Sequence, residues 1–497
     1  MNITQKINDR LVSLFNIVMK TEEEAIKKSS MHNLSITEVH TLVAIGLEEA
    51  RTMSQVAETL KISVSTLTSA INRLVEKKVV NRFRGPEDRR IVKLELTEEG
   101  KAVVEEHENF HHEMVRHAME SLTEEEQSLL LQSLDNIHRF FVQNKSKKGD
   151  LPLSLKPLEL GNLTIPVPIF QGGMGIGVSL SKLAAAVSKC GGVGVISAAQ
   201  IGFDESDFYT APVQANIRAL QRNIREALEE VKDIPNRGPI GVNIMCASRN
   251  YDEYVQAAIE AGVEIIVSGA GLPTSLPGAA GESQVKLVPI VSSARAASLI
   301  CRGWEKKYGR RPDAVIYEGP KAGGHIGFKE EQLKEAEESF LKTLQEIKAE
   351  IQDIPLIVAG GIYTREDVQE VLSFGADGVQ LGTRFVTTEE CDVHPNFKQA
   401  YINASEEAMV IIKSPVGMPG RAITNTFITR VEGGRIPPQK CNRCLIPCKA
   451  EDSPYCITQA LINAAKGDME NGLVFSGCNG YRATKIQTVA DIFKELT

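Results

Sequence analysis

Apolar residues recur every three to four positions over roughly 6–28, 35–46, 54–61, 63–78, 98–119 and 123–142, which predicts a mostly helical first part. Beyond residue 150 the pattern changes. Short unbroken apolar runs stand at IPVPIF (165–170), VGVIS (193–197), IGVNIM (240–245), EIIVSG (264–269), KLVPIV (286–291), AVIYEG (314–319), PLIVAGG (355–361) and GVQLGT (378–383). Helical stretches such as LSKLAAAVSK, YDEYVQAAIEAG and TREDVQEVLSFG lie between them. Eight parallel-type strands alternating with helices spell an α/β (β/α)8 TIM barrel. A doubly wound sheet is the rival, and the strand count and the absence of GxGxxG after the first strand count against it.

Composition places the boundary. Pro86 is the one proline before residue 150, with four glycines, whereas the other 20 prolines and 35 glycines lie beyond. The polar, proline-punctuated run QNKSKKGDLPLSLKP between the halves reads as a linker. The expected layout is an α+β winged helix-turn-helix domain at 1–145, a linker at 146–157 and a barrel at 158–497, with a small cysteine-containing C-terminal extension at 430–497. No apolar run reaches the ~18 residues of a membrane helix, and MNITQKINDR carries no signal-peptide pattern, so a cytoplasmic protein with no membrane partner is expected. The formal net charge of −8 gives no global attraction to nucleic acid. Any DNA contact must rest on a local patch.

Such a patch exists. MSQVAETLKISVSTLTSAINRLVEKKVV spells helix, short turn, helix, and NRFRGPEDRRIVKLELTEEG spells two β-like runs around Gly85-Pro86, a winged hairpin. The second helix starts at Ser63 or Ser65, and its face carries Thr66, Thr68, Ser69, Asn72 and Arg73. With Lys77, Lys78, Arg82, Arg84, Arg89, Arg90 and Lys93 it forms a basic strip against only Glu76, Glu87 and Asp88. A solvated charged hairpin is the plainer alternative. The order of these features, with Glu87-Asp88-Arg89-Arg90 and then LTEEG, resembles the MarR family of winged-helix repressors. KINDRLVSLFN and SITEVHT are most similar to the branch that represses fatty-acid biosynthesis genes. The resemblance implies that 63–77 enters the major groove of double-stranded DNA, that Arg89 enters the minor groove, and that helices 6–28 and 98–142 make a homodimer. Ser65, Thr66, Thr68, Ser69, Asn72, Arg73, Arg84, Arg89 and Arg90 are the candidate DNA contacts.

In a TIM barrel the chemistry sits on the loops at the C-terminal strand ends. Those ends carry QGGMG (171–175), Asn243, SGAGLP (268–273), Ser292, EGPKAGGHIG (318–327), AGG (359–361) and QLGTRF (380–385). Glycine-rich turns after strands seven and eight suit a phosphate held by backbone N–H groups, here Gly360, Gly361, Gly382 and Thr383. A phosphorylated planar cofactor is implied, and FMN is the natural candidate. Gly323 and Gly324 would let backbone approach it, and His325 stands where an imidazole can move a proton.

QGGMG, GVNIM, AGGHIG, AGGI and QLGTRF resemble the FMN-dependent nitronate monooxygenases and the flavin type of enoyl-acyl-carrier-protein reductase, from about residue 158 onward and thinning after 430. The resemblance implies that His325 is the catalytic acid or base. It also implies that Gly172, Gly173, Met174, Asn243, Glu318, Gly323, Gly361, Gln380, Gly382 and Thr383 line the flavin site. Nitronate monooxygenases usually have Gln where this chain has Glu318, and RFVTTEECDVHPNFK is likewise closer to the reductases. SPVGMPGRAI (414–423) and the cysteine-bearing tail depart from the reductases, and Lys413 and Arg421 stand as phosphate contacts or surface charges.

Nine cysteines point to thiols or metal rather than a disulfide framework. Cys441-x2-Cys444-x3-Cys448-x7-Cys456 can hold a [4Fe–4S] cluster, and the spacing resembles that of flavin-dependent dienoyl-thioester reductases, whose last interval is longer. Zinc accepts four thiolates too, and ordinary free thiols in a turn-rich segment are the third reading. Cys190, Cys246, Cys301 and Cys391 fall in barrel elements, and Cys478 has no assigned role. The expected activity is NAD(P)H-driven reduction of an enoyl thioester, with acyl carrier protein as a candidate carrier. Nitronate oxidation with O2 is the enzymatic alternative. A transcription regulator that uses the barrel as a flavin or acyl sensor is the alternative of another class.

Overall fold

The computed structural model describes residues 34–47, 50–60, 64–84, 92–120 and 155–497, with a few isolated positions between 21 and 131. The chain divides into two compact units, Met1–Asp150 and Leu151–Thr497.

In the first unit, helices Ile36–Ile45, Met53–Leu60 and Val64–Glu76 precede a small antiparallel sheet, and helix Glu98–Met119 follows it. The sheet joins β1 (Arg51–Thr52), β3 (Val92–Leu96) and β2 (Val80–Arg84) in that order. Ser35 and Glu38 form a reciprocal capping box, which satisfies N–H groups that a helix start leaves open. Leu42, Ile45, Val56, Leu67, Ile71, Leu74 and Leu94 are fully buried and converge from the first three helices and β3. This is the expected winged helix-turn-helix. The wing tip at 85–91 lies outside the described residues, as do nearly all of the expected helix at 6–28 and most of the expected helix at 123–142 and of the linker.

The second unit opens with a hairpin of β4 (Leu158–Leu160) and β5 (Leu163–Ile165), then the barrel. Its strands are β6 (Ile169–Gln171), β7 (Gly194–Ser197), β8 (Ile240–Met245), β9 (Ile265–Gly269), β10 (Lys286–Val291), β11 (Val315–Glu318), β13 (Leu356–Ala359) and β14 (Gly378–Leu381). They pair in parallel from β7 through β14 to β6. The ring closes between Phe170 and Val193 through a single parallel bridge, with Gln171 N to Val193 O and Val193 N to Ile169 O each at 2.9 Å. All eight expected strands are present. The first is shorter than expected because Pro166 and Pro168 cannot donate to a ladder.

Above the barrel mouth lies a sheet that the apolar pattern does not predict. β12 (Gly324–His325) pairs antiparallel with β16 (Pro419–Ile423), and β16 pairs with β15 (Met409–Lys413). The SPVGMPGRAI stretch is therefore the second half of a hairpin that roofs the strand ends. Among the described residues no helix is long and apolar enough to cross a membrane.

Candidate active site

One cavity at the C-terminal strand ends gathers thirteen positions singled out above: Gly172, Gly173, Met174, Asn243, Glu318, Gly323, Gly324, His325, Gly360, Gly361, Gln380, Gly382 and Thr383. The strands explain the convergence. β6, β8, β11, β13 and β14 all run the same way, so the residues following each one meet at the same rim.

Two glycines are required by contact or conformation. A Cβ on Gly173 would overlap the Asn243 Cβ, so the β6 loop can lie this close to β8 only without a side chain. Gly360 holds a φ of +93°, which L side chains rarely adopt, and a Cβ there would stand 2.7 Å from the Gly319 carbonyl.

His325 is fixed from outside the barrel. Its strand β12 is paired to Gly420, its Nε2 stands 2.7 Å from Ser414 Oγ, and its ring packs edge-on against Phe475 at 5.1 Å. Burial lowers its pKa to about 4, so the imidazole is neutral at pH 7. With Nε2 engaged by Ser414, Nδ1 is left for a ligand. Glu318, at the end of β11, faces the same cavity, and burial raises its carboxyl to about 7. Two groups of opposite shift thus line one cavity, an arrangement found at acid–base sites.

The cavity suits FMN in two respects. Gln380 Oε1 is buried without a hydrogen-bond partner among the described residues, an acceptor that the N–H edge of a flavin would satisfy. The glycine loops after β13 and β14 are laced together by a segment absent from the expected set. Gly477 N donates to Thr383 Oγ1 at 2.9 Å, Asn479 Nδ2 donates to Gly361 O at 2.6 Å, and Cys478 N donates to Lys321 O at 3.2 Å. Cys478 therefore lines the cavity rather than lying apart from it. The only sequence signal was the glycine pair in FSGCNG.

Arg421 corrects a sequence reading. It is buried, and its guanidinium donates to Pro320 O at 2.7 Å and Ala322 O at 2.8 Å, with Glu337 at 3.8 Å. It clamps the turn ahead of Gly323 and is committed to protein carbonyls rather than to a ligand phosphate. Arg421→Met is expected to lower the stability of the barrel unit by about 2–4 kcal/mol, since two carbonyls lose a charged donor. Thermal unfolding would read this. An unchanged midpoint with weakened NAD(P)H binding would restore the phosphate role.

The four tail cysteines line one pocket of the extension. Among the described residues, no three His, Cys, Asp or Glu side chains are gathered as a single metal ion would need, so the simple zinc arrangement is not formed. Cys391 is buried, Cys190, Cys246 and Cys301 are half-buried, and all nine cysteines are free.

In the first unit, Arg73 and Asn72 are exposed on helix Val64–Glu76. Asn72 accepts a hydrogen bond from Arg82 of β2 at 3.1 Å, tying helix to wing. Lys77 and Arg73 reach Glu38 at 2.8 and 4.0 Å, which braces the same helix against its neighbour. Thr68 is half-buried on that helix. Ser65, Thr66, Ser69 and Arg84 belong to described elements, but their side chains lie outside the described residues, as do Arg89 and Arg90 altogether.

Comparison with known proteins adds the following. The nitronate monooxygenase family matches residues 156–497, and the MarR family matches residues 34–92. A Mycobacterium tuberculosis (3aS,4S,5R,7aS)-5-hydroxy-7a-methyl-1-oxo-octahydro-1H-indene-4-carboxyl-CoA dehydrogenase is 26% identical over 54% of this chain and 66% of its own. A probable nitronate monooxygenase of Staphylococcus aureus is 27% identical over 54% of this chain and 78% of its own. The structure of FabK from Thermotoga maritima aligns with a TM-score of 0.51 and 28% identity, covering 67% of this chain and 92% of that one.

Proposed function

The chain belongs to the nitronate monooxygenase family, and within it we propose an FMN-dependent NAD(P)H oxidoreductase that saturates the double bond of an enoyl thioester. We propose further that its MarR family domain binds double-stranded DNA as a homodimer. The observation that carries the enzymatic reading is that Glu318 and His325 line the same cavity. Saturating an alkene needs a proton as well as a hydride: enoyl thioester + NAD(P)H + H+ gives acyl thioester + NAD(P)+. Oxidation of a preformed nitronate needs no such donor. A carboxyl titrating near pH 7 is suited to hold and deliver that proton.

When bound, FMN supplies the two-electron hydride chemistry. Gly172–Met174, Asn243, Gln380 and the glycine loops after β13 and β14 would hold it. His325, neutral and braced by Ser414, would hydrogen-bond the thioester carbonyl through Nδ1, where negative charge develops. The roofing hairpin covers His325 through the pairing of β12 with β16. The CoA thioester in the mycobacterial relative's name supports this substrate class. For DNA, the exposed Asn72 and Arg73 support helix Val64–Glu76 as the reading element.

The test is anaerobic stopped-flow of the FMN-loaded protein, reduced with NAD(P)H and mixed with crotonyl thioester, or with nitronate and O2. Fast reoxidation by the thioester is the expected result. Inertness to it together with nitronate turnover would replace the reading with monooxygenation. The same experiment carries a pH prediction. Glu318 keeps its proton below about 7 and loses it above, so the thioester rate should fall about tenfold per pH unit beyond 7. His325, already neutral, should add no break between about pH 5 and 9. Glu318→Gln should be slower and flat across that break, whereas a wild-type profile flat from pH 6 to 8 would remove Glu318 as the donor.

A further inference from the structure

We propose that Cys441, Cys444, Cys448 and Cys456 hold a [4Fe–4S] cluster directly behind the wall of the flavin cavity. The four thiols come from residues 441–456, and the fold turns all of them toward one pocket. None is in a disulfide. The placement is shared with the active site, because Cys444, Leu445, Ile457 and Thr458 line both that pocket and the flavin cavity.

The local backbone is arranged around sulfur. Arg443 N–H donates to Cys441 Sγ at 3.4 Å, and Arg443 holds a φ of +49°, so a left-handed turn separates the first two thiols. A non-glycine residue adopts that conformation where its surroundings fix it. Cys444 Sγ stands 3.1 Å from Thr458 Oγ1. Cys456 is the residue that opens helix Ile457–Ala465. Lys440 and Arg443 line the same pocket, with Lys449 next to Cys448, and their charge offsets that of four thiolates.

The segment also needs a staple. Residues 433–456 form neither helix nor strand, apart from one bridge between Leu445 and Ser248. Yet Leu445 and Tyr455 are buried and Arg435 spans the loop to Ser453 O at 2.9 Å and Ala450 O at 2.9 Å. Irregular chain of this length within a compact domain is uncommon unless something ties it down. Four metal–sulfur bonds would do so.

An iron–sulfur cluster fits better than one zinc ion. Zinc bonds of about 2.3 Å require four sulfurs drawn tightly around one point, and the thiols are not gathered in that way. A cubane takes one thiolate per iron at its corners and fills a ring of sulfurs spread around a pocket. Three cysteines in close succession and a fourth further on also match cluster ligation more than the paired knuckles of zinc ribbons.

The experiment uses the full chain, expressed with added iron and purified anaerobically, with iron, acid-labile sulfide, zinc and FMN measured per chain. About four iron and about four sulfide are expected. Cys441→Ser/Cys448→Ser, which spares every residue of the flavin wall, should lose at least nine-tenths of the iron while keeping its FMN. Stoichiometric zinc without iron, no metal after reconstitution with iron and sulfide, or iron undiminished in the variant would each overturn the proposal. Iron without FMN would leave it standing and remove the flavin reading instead, so the two fail separately.

Discussion

His325→Ala is expected to slow reoxidation of the reduced protein by crotonyl thioester by about 10²–10⁴-fold, the range that a positioned acid–base or electrophilic group contributes. The variant should keep its FMN and its melting temperature, because His325 occupies a two-residue strand and contributes little to the core. NAD(P)H-driven flavin reduction, which does not need the imidazole, should change little. Stopped-flow of the two half-reactions separates these outcomes. A loss of less than tenfold in the thioester half-reaction would reduce His325 to a structural residue held between Ser414 and Phe475.

Gly173→Val is expected to yield a folded protein without flavin. Its Cβ would overlap the Asn243 Cβ and stand 3.1 Å from Asn243 Cγ, so β6 and β8 loops would have to part at the cavity floor. Overpacking of this kind costs about 1–3 kcal/mol, and displacement of the cofactor's seat adds to it, so FMN affinity should fall at least about 100-fold. Gly303→Ala is the control. It sits in helix Ala294–Tyr308 with nothing within 4 Å of a new Cβ, and should stabilise the barrel by about 0.5–1 kcal/mol without touching FMN. Flavin absorbance per chain reads both. A Gly173→Val protein that purifies yellow would show that this loop does not seat the cofactor.

These effects trace back to what the sequence could and could not disclose. The thirteen residues of the cavity wall were legible because parallel strands deliver the positions after them to one rim, so a strand-end list is already a site list. The periodicity likewise disclosed the helix-turn-helix, whose buried Leu67, Ile71 and Leu74 fall at helical spacing. The sheet of β12, β15 and β16 was not legible. A two-residue strand has no period, and its partner lies about a hundred positions away. For the same reason Ser414 passed unnoticed and Arg421 read as a phosphate contact or a surface charge, since only tertiary structure reveals that it is buried with its donors occupied by Pro320 and Ala322. The acidity of Glu318 is a property of burial, which composition does not record.

The pairing of β12 with β16 bears on how the protein becomes active as it is made. The eighth barrel strand ends at Leu381, whereas Ser414, the β16 partner and the Ser476–Asn479 lacing follow later in the chain. At ~5–20 residues per second, roughly a hundred further residues take about 5–20 s to emerge. During that interval all eight strands of the sheet have been made while His325 has neither its strand partner nor its hydroxyl, and the winged-helix unit, which precedes the barrel, has had longer to fold. Catalytic competence is therefore the last property the chain acquires. A barrel cut short before Val489 would lack both its chemistry and the helix whose Val489, Ile492, Phe493 and Leu496 fill the barrel core.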